Sequence, residues 1–306
     1  MSHARAVSLM ILVTLLWSIA GVVTRHLDAA RSFEVTFWRS LFNALTLAVA
    51  LTALRGPALW RGLLQWPRAL WLSGACWAVM FTAFMVALTL TTVANVLVTM
   101  AVGPLVTALF FRLFLRRRLP ARTWTAIALA GLGIAWMFGR EAQAGVSLAG
   151  SLVALAVPLA AAVNWTILQR NGERAAGADM LPAVWIGAML SALAALPLAW
   201  PLQASAHDLG LLALLGSVQL AIPCLLVVRL ARELPAPEIA LLALLEVVFG
   251  VAWAWLGAGE QPSTSTLAGG ALVLAALVGN EALALHRGRL RQPAGEREDR
   301  TPATRR

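Results

Sequence analysis

The sequence contains no lysine and no tyrosine, and only 12% of its 306 residues are charged. Its two cysteines, Cys76 and Cys224, lie far apart in apolar runs, which excludes a disulfide framework and a cysteine metal site. The four histidines do not cluster, and no HExxH or GxSxG motif occurs. We therefore expect no catalytic site, no metal site and no cofactor, and the scarcity of charge excludes an ordinary soluble domain.

Apolar residues dominate instead, at 60% of the chain, and the mean hydropathy is +0.79. A helix needs roughly 20 such residues to cross the hydrocarbon core of a membrane, and runs of that length recur to the end of the chain. The first run has no clear cleavage pattern after it and is interpreted as a retained helix. The sequence predicts an all-α integral membrane protein with ten transmembrane helices. They lie at 6–24, 34–54, 69–88, 93–115, 122–139, 147–169, 180–199, 209–230, 236–257 and 266–286.

The arginines predict how the chain crosses the membrane. All 24 basic residues are arginine, and most fall in alternate loops or near the C-terminus, whereas the opposite loops hold only Arg25, Arg31 and Arg140. By the positive-inside rule, both termini lie in the cytoplasm. The tail 287–306 mixes charges and lacks stacking aromatics, so we interpret it as a disordered anchor beside anionic lipid and expect no nucleic acid as a partner.

An internal repeat is indicated by the gapless alignment of residues 74–135 with 216–277, which superposes Pro104 on Glu246. Each half holds five predicted spans, and an odd number inverts the second half relative to the first. Such pairs of repeats place a substrate site near the bilayer midplane and expose it alternately to either side. The predicted units are a first five-helix repeat at 1–140, a second, inverted repeat at 141–286, and the tail 287–306.

Four segments carry a family resemblance: LLWSIAGVVTRHL, FWRSLFNALTLAVAL, VGPLVTALFFRLFLRRRLPARTWTAIALAGLGIA and LLEVVFGVAWAWLGAGEQPSTSTLAGGALVLAAL. Over residues 7–285 the chain resembles the drug/metabolite transporter superfamily, in its EamA-type ten-helix branch. By position, the resemblance matches Trp17, Arg39, Pro104, Glu246 and Glu260 to the family pattern. Two positions depart from that pattern, because Arg118 replaces an acid in the first-half turn and Val247 replaces a proline.

The resemblance implies export from the cytoplasm across the bacterial inner membrane, with no ATP and no prosthetic group. The aromatic content and small size are similar to those of bacterial exporters of aromatic and other neutral amino acids. Exporters of organic cations, drugs or nucleosides in the same superfamily are the alternative, and a receptor or structural protein is another. The expected partners are a small-molecule substrate and the lipid bilayer, and a monomer is among the assemblies compatible with this plan.

Glu246 is the first candidate for the transport pathway, because it lies midway along the ninth predicted span with no cation in its own helix. A charged side chain costs roughly 2.5–3.5 kcal/mol at the centre of a membrane helix, so it normally faces a cavity or a partner. Glu246 is expected either to hold a substrate ammonium or a coupling proton, or to be a protonated carboxyl between helices. Arg39 is interpreted as a residue that reaches the outer interface or pairs with Glu34 or Asp28.

Other candidates are deep tryptophans, deep asparagines and a helix-breaking proline. Tryptophan rings could stack on a planar substrate or pack against lipid, and asparagines could line a pathway or join helices. A proline inside a span frees backbone carbonyls. The predicted substrate pathway comprises Trp17, Asn43, Trp77, Asn95, Pro104, Asn164, Trp165, Glu246 and Trp253.

Overall fold

The computed structural model describes residues 1–24, 26–30, 32–91, 96, 99–116, 118–143, 147–173, 178–258 and 263–290. Within these ranges every regular element is a helix, which confirms the all-α prediction. The α-helices are α1 His3–Ser18, α2 Ala20–Thr24, α3 Ser32–Arg55, α4 Arg68–Leu90, α5 Gly103–Phe114, α6 Ala121–Gln143, α7 Leu148–Gly172, α8 Leu181–Ala199, α9 Ala206–Leu214, α10 Ile222–Leu230, α11 Ala236–Ala243, α12 Leu245–Ala258 and α13 Thr264–Leu290. A 3₁₀ segment spans Pro57–Gln65, and a π-helical turn spans Leu215–Ala221.

Among the described residues, seven helical stretches are long and apolar enough to cross a membrane. They are His3–Thr24, Phe33–Arg55, Arg68–Ala87, Leu148–Gly172, Leu181–Ala199, Ala206–Leu230 and Ala236–Gly257. Two shorter apolar helices, Gly103–Phe114 and Thr264–Asn280, add to them. Large apolar side chains such as Leu148 and Trp136 are exposed, at 75% and 68%, as suits a surface in contact with lipid. The count of ten spans and the cytoplasmic termini stay predictions.

Two predicted spans are interrupted near the middle of the molecule. The predicted span 209–230 contains the π-helical turn Leu215–Ala221, which lies just before Pro223. Proline lacks a backbone N–H, and its ring clashes with the carbonyl four residues earlier, so a wider turn relieves the strain. The predicted span 236–257 ends its first helix at Ala243 and resumes at Leu245. No proline or glycine adjoins that second break, so the local sequence does not predict it.

Helices α6 and α13 pack against each other through glycine. The small-residue spacings at Gly131 and Ala271 predict that these two helices pack closely. In the structure Gly133 and Gly269 face each other: a Cβ on Gly269 would meet the Gly133 carbonyl oxygen, and an added Cβ on Gly133 would lie 2.7 Å from the Gly269 carbonyl oxygen. Backbone against backbone leaves no flexible side chain to move aside, so this contact fixes the distance between the helices.

Replacing Gly133 with alanine is therefore expected to destabilise the protein by about 1–3 kcal/mol, as overpacking does. Gly131→Ala is the matched control in the same helix, because a Cβ there meets nothing within 4 Å. Thermal unfolding in detergent should show a lower Tm for Gly133→Ala and an unchanged or slightly higher Tm for Gly131→Ala. Equal melting temperatures for the two variants would contradict this packing.

A buried carboxylate ties together two loops that are distant in sequence. Asp208, in the first turn of α9, accepts backbone N–H groups of Asp28 at 2.7 Å, Ala29 at 3.0 Å and Ala30 at 3.1 Å. It also accepts the N–H of Ser205, whose hydroxyl in turn accepts the Asp208 N–H, so that the pair caps α9. The loop before α3 is thereby fixed to the start of α9.

Glu34 makes the reciprocal connection from α3. Its Oε1 accepts the backbone N–H groups of Gln203 at 2.8 Å and Ala204 at 2.7 Å, and the indole N–H of Trp38 at 3.2 Å. The side chain is fully buried. Each of the two helices thus supplies a carboxylate to the loop that precedes the other, and we call this exchange the loop clasp.

Asp208→Ala should lower the free energy of unfolding, because several backbone N–H groups of the loop clasp lose their acceptor. A buried group left unpaired in this way costs about 1–3 kcal/mol. Asp28→Asn is the control, since it removes only the exposed pair between Asp28 and His207, at 3.2 Å, and keeps the backbone N–H. Thermal unfolding should separate the two variants clearly. A Tm for Asp208→Ala no lower than that of Asp28→Asn would show that the clasp contributes nothing.

Candidate functional site

A cavity of about 190 Å³ is lined in part by residues from both interrupted spans. Its wall is mostly apolar and comes from α1, α2, α3, α4, α5, α7, the π-helical turn, α10, α11 and α12. The aromatic residues of this wall are Trp17, Trp77, Phe81, Phe84 and Trp165. The charged and polar residues are Arg39, Thr107, Gln219 and Glu246. An apolar pocket with a few convergent polar groups is the usual form of a small-molecule site.

The structure brings part of the predicted pathway together in this wall. The pathway residues that line the cavity are Trp17, Trp77, Pro104, Trp165 and Glu246. They come from five separate helices, so their meeting depends on the tertiary fold.

Three further pathway residues lie outside the lining of the cavity. Asn164 accepts a hydrogen bond from the Ser73 hydroxyl at 2.6 Å and so joins α7 to α4. Trp253 donates from its indole to the Ser18 hydroxyl at 3.0 Å, which joins α12 to α1. Asn43 is fully buried in α3, and its side-chain amide has no hydrogen-bond partner among the described residues. The fourth, Asn95, lies outside the described residues.

Two residues of the cavity lie in the first turns of their helices. Helix α5 begins at Gly103 with Pro104 in its first turn, and α12 begins at Leu245 with Glu246 in its first turn. A helix N-terminus carries partial positive charge from unpaired N–H groups, which favours a carboxylate. The break before α12 is mild, because Leu244 keeps helical backbone angles and the Val247 N–H donates to the Leu244 carbonyl at 3.1 Å. The Glu246 side chain is only partly buried, because it faces the cavity.

Arg39 differs from its sequence interpretation. The residue neither reaches the outer interface nor pairs with Glu34, because it is only 4% exposed and lines the same cavity as Glu246. One terminal nitrogen, Nη2, donates to the Phe81 carbonyl at a long 3.5 Å, and Nε has no partner among the described residues. The Glu34 carboxylate instead serves the loop clasp through Oε1, and its Oε2 has no partner among the described residues.

Close packing behind Arg39 holds it in place. An added Cβ on Gly216, in the π-helical turn, would lie 2.7 Å from the Arg39 carbonyl oxygen, so only glycine allows this approach. Beside it, the Ser191 hydroxyl of α8 contacts Ser40 at 3.0 Å and Thr82 at 2.9 Å. Helices α3, α4 and α8 are thereby joined. The helical spacing was a usable signal, because residues five apart point about 140° away from each other and cannot pair as neighbours do.

Four residues of the cavity have buried polar atoms without a hydrogen-bond partner among the described residues. These atoms are Arg39 Nε, Trp77 Nε1, Thr107 Oγ1 and Gln219 Oε1. Buried polar groups in proteins nearly always have partners, and an exception calls for a ligand or water at that place. Thr107 and Gln219 were not among the predicted pathway residues. These four atoms in one wall make the cavity the candidate binding site.

The aromatic walls are mutually supported. The ring centroids of Trp77 and Trp165 lie 5.5 Å apart at 85°, an edge-to-face contact, and Trp77 and Phe81 are also 5.5 Å apart. Such contacts contribute about 0.5–1.5 kcal/mol beyond burial, so these rings are held in place. The nearby Ser73–Asn164 hydrogen bond fixes the two helices that carry the tryptophans. Asn164 thus positions the wall without touching the cavity.

One group of described residues, Asp28, His207 and Asp208, has ligand atoms close enough to hold a metal ion. Both oxygens of Asp208 already accept backbone N–H groups in the loop clasp. A metal ion would have to displace those donors, so we assign the group to the clasp.

Comparison with known proteins shows the family and the fold of this chain. The model of the EamA-like transporter family matches residues 4–139 and again 148–280. Two relatives named pseudopaline exporter CntI, from Pseudomonas aeruginosa strains UCBPP-PA14 and PAO1, are each 25% identical over 276 residues, covering 89% of this chain and 94% of their own. A solved crystal structure with 17% identity superposes with a TM-score of 0.77, over 92% of this chain and 99% of its own, which shows the shared fold alone. The chain belongs to the EamA-like transporter family of the drug/metabolite transporter superfamily.

Proposed function

We propose that this membrane protein is a secondary transporter that exports small metabolites, above all aromatic and other neutral amino acids, by alternating access around the cavity. The observation that carries this proposal is a mostly apolar, tryptophan-walled cavity with one acid and one base in its lining. Such a wall suits a solute with a charged head and an apolar or aromatic body. The pseudopaline exporters of Pseudomonas aeruginosa support export as the direction of transport.

We propose the same arrangement of spans as the sequence predicts: ten helices in two inverted repeats, with both termini in the cytoplasm and the chain in the bacterial inner membrane. The double match of the family model, at 4–139 and 148–280, supports halves close to 1–140 and 141–286. The helix starts give further support, because Pro104 and Glu246 superpose in the repeat alignment and each lies in the first turn of a described helix. A site between two such repeats is the usual one in secondary transporters.

The alternative cargo, an organic cation, is disfavoured by Arg39. A guanidinium in the cavity wall repels a cation, whereas a substrate that carries a carboxylate as well as an ammonium meets a partner for each. The two cargo classes therefore predict different transport by the same protein.

The test is flux in liposomes that contain the purified full chain, with labelled tryptophan, phenylalanine, threonine, lysine and an organic dication, each with and without a proton gradient. We expect saturable flux of tryptophan and phenylalanine well above that of empty liposomes, and little flux of the dication. Flux of the dication alone would replace the amino-acid proposal with cation export. An effect of the gradient on flux would add proton coupling to the proposal.

A further inference from the structure

We propose that Arg39 and Glu246 bind opposite ends of a zwitterionic substrate, with the carboxylate on Arg39, the ammonium on Glu246 and the apolar part between the tryptophan rings. This inference rests on the proposed function and names the chemical feature by which the cavity selects its substrate. We call the pair the zwitterion clamp.

The first support is the placement of two opposite charges on one cavity. Arg39 comes from α3 and Glu246 from α12, two helices of different halves, and both line the wall. They share one wall, yet neither makes an ion pair with the other within 4 Å in the described part of the chain. A buried pair that served stability alone would be expected to close, because separation leaves both charges poorly solvated.

The second support is the unfilled bonding capacity of Arg39. Its Nε has no partner among the described residues, and its one hydrogen bond from Nη2 is long. A guanidinium presents a planar fork of donors that matches a carboxylate with two parallel hydrogen bonds. A substrate carboxylate at this position would use the donor that the protein itself leaves unpaired.

The third support is the surroundings of Glu246. Its carboxylate faces the cavity, so a substrate ammonium can reach it, and the Trp17 and Trp77 rings in the same wall offer π faces that attract cations. Among the described residues, the remainder of the lining provides no further charge, which leaves one acid and one base. A substrate with both charges neutralises both groups, whereas a substrate with one charge leaves the other protein group buried and unpaired.

Binding to the purified full chain in detergent tests the clamp without requiring transport. Quenching of tryptophan fluorescence would measure the Kd of phenylalanine, of phenethylamine, which lacks the carboxylate, and of 3-phenylpropionate, which lacks the ammonium. All three have the same ring, so the comparison isolates the charges. We expect phenylalanine to bind at least about tenfold more tightly than either analogue.

Two variants then assign each charge to its residue. Arg39→Gln should lose the preference for phenylalanine over phenethylamine and keep the preference over 3-phenylpropionate, and Glu246→Gln should show the reverse. Arg55→Gln and Glu233→Gln are the matched controls, since both residues lie outside the cavity wall and pair elsewhere. A residue with a merely structural role would weaken all three ligands together.

Equal affinities of the wild type for the three ligands would overturn the clamp, and so would preferences that neither variant changes. The binding test of the clamp and the flux test of the proposed function can fail independently. Amino-acid flux with equal affinities for the three ligands would contradict the clamp but not amino-acid export. Discriminating binding without any flux would leave the clamp standing and remove amino-acid export.

Discussion

Glu246→Gln is expected to reduce the flux of labelled phenylalanine into liposomes at least about tenfold, which corresponds to roughly 1.4 kcal/mol. The change keeps the size of the side chain and its place in the first turn of α12, but removes the charge that faces the cavity. A neutral amide attracts an ammonium far less than a carboxylate does, because charge-assisted hydrogen bonds are about twice as strong as neutral ones. Initial rates at several substrate concentrations would separate a change in KM from a change in maximal rate.

The control for this variant is Glu233→Gln, the same chemical change at a partly exposed acid that contacts the N-terminal amine at 3.5 Å. Its flux should equal that of the wild type. Undiminished phenylalanine flux in Glu246→Gln would show that the carboxylate has no part in transport. If the wild type responds to a proton gradient and the variant does not, Glu246 is also the coupling site.

Ala161→Trp is expected to abolish flux by filling the cavity. Ala161 lies in the wall on α7, between Pro158 and Trp165, and a second indole there would occupy space that a substrate needs. A cavity of about 190 Å³ has little room for both. Flux of phenylalanine and tryptophan should fall to the level of empty liposomes, with Tm measured alongside to show that the chain still folds.

Leu152→Trp is the matched control, because Leu152 lies on the same helix and is 61% exposed on the outer surface of the molecule. The same bulky residue there should leave flux and Tm close to those of the wild type. Transport by Ala161→Trp at the rate of Leu152→Trp would place the substrate route elsewhere.

The residues that line the cavity were only partly predictable from the sequence. Composition and run length predicted membrane helices, and the positions of Trp17 and Glu246 along those helices indicated depth near the centre of the membrane. Depth alone did not distinguish Trp165, which lines the cavity, from its neighbour Asn164, which joins two helices instead. Successive residues of a helix point about 100° apart, so the neighbouring helices decide which one faces the cavity.

The direction of the Arg39 side chain was likewise not predictable from the sequence. Sequence distance placed it near Glu34 and the outer interface, but the partner of Glu34 is a loop more than a hundred residues away. The Arg39 side chain instead lines the cavity, where Glu246 also lies. No local pattern contains this information, because it depends on contacts between the two halves of the chain.

The sequence by itself determined that this is a membrane protein, that it is helical, and which family it belongs to. The hydrophobic effect and backbone hydrogen bonding leave a long apolar chain few alternatives to membrane helices. The sequence also marked the depth of Pro104 and Glu246 through a proline and an isolated acid. Only the tertiary structure decided that an acid from α12 and a base from α3 face one cavity. The physical reason is that the direction of a side chain around its helix is set by packing and by the break at Leu244, which arise only when the helices assemble.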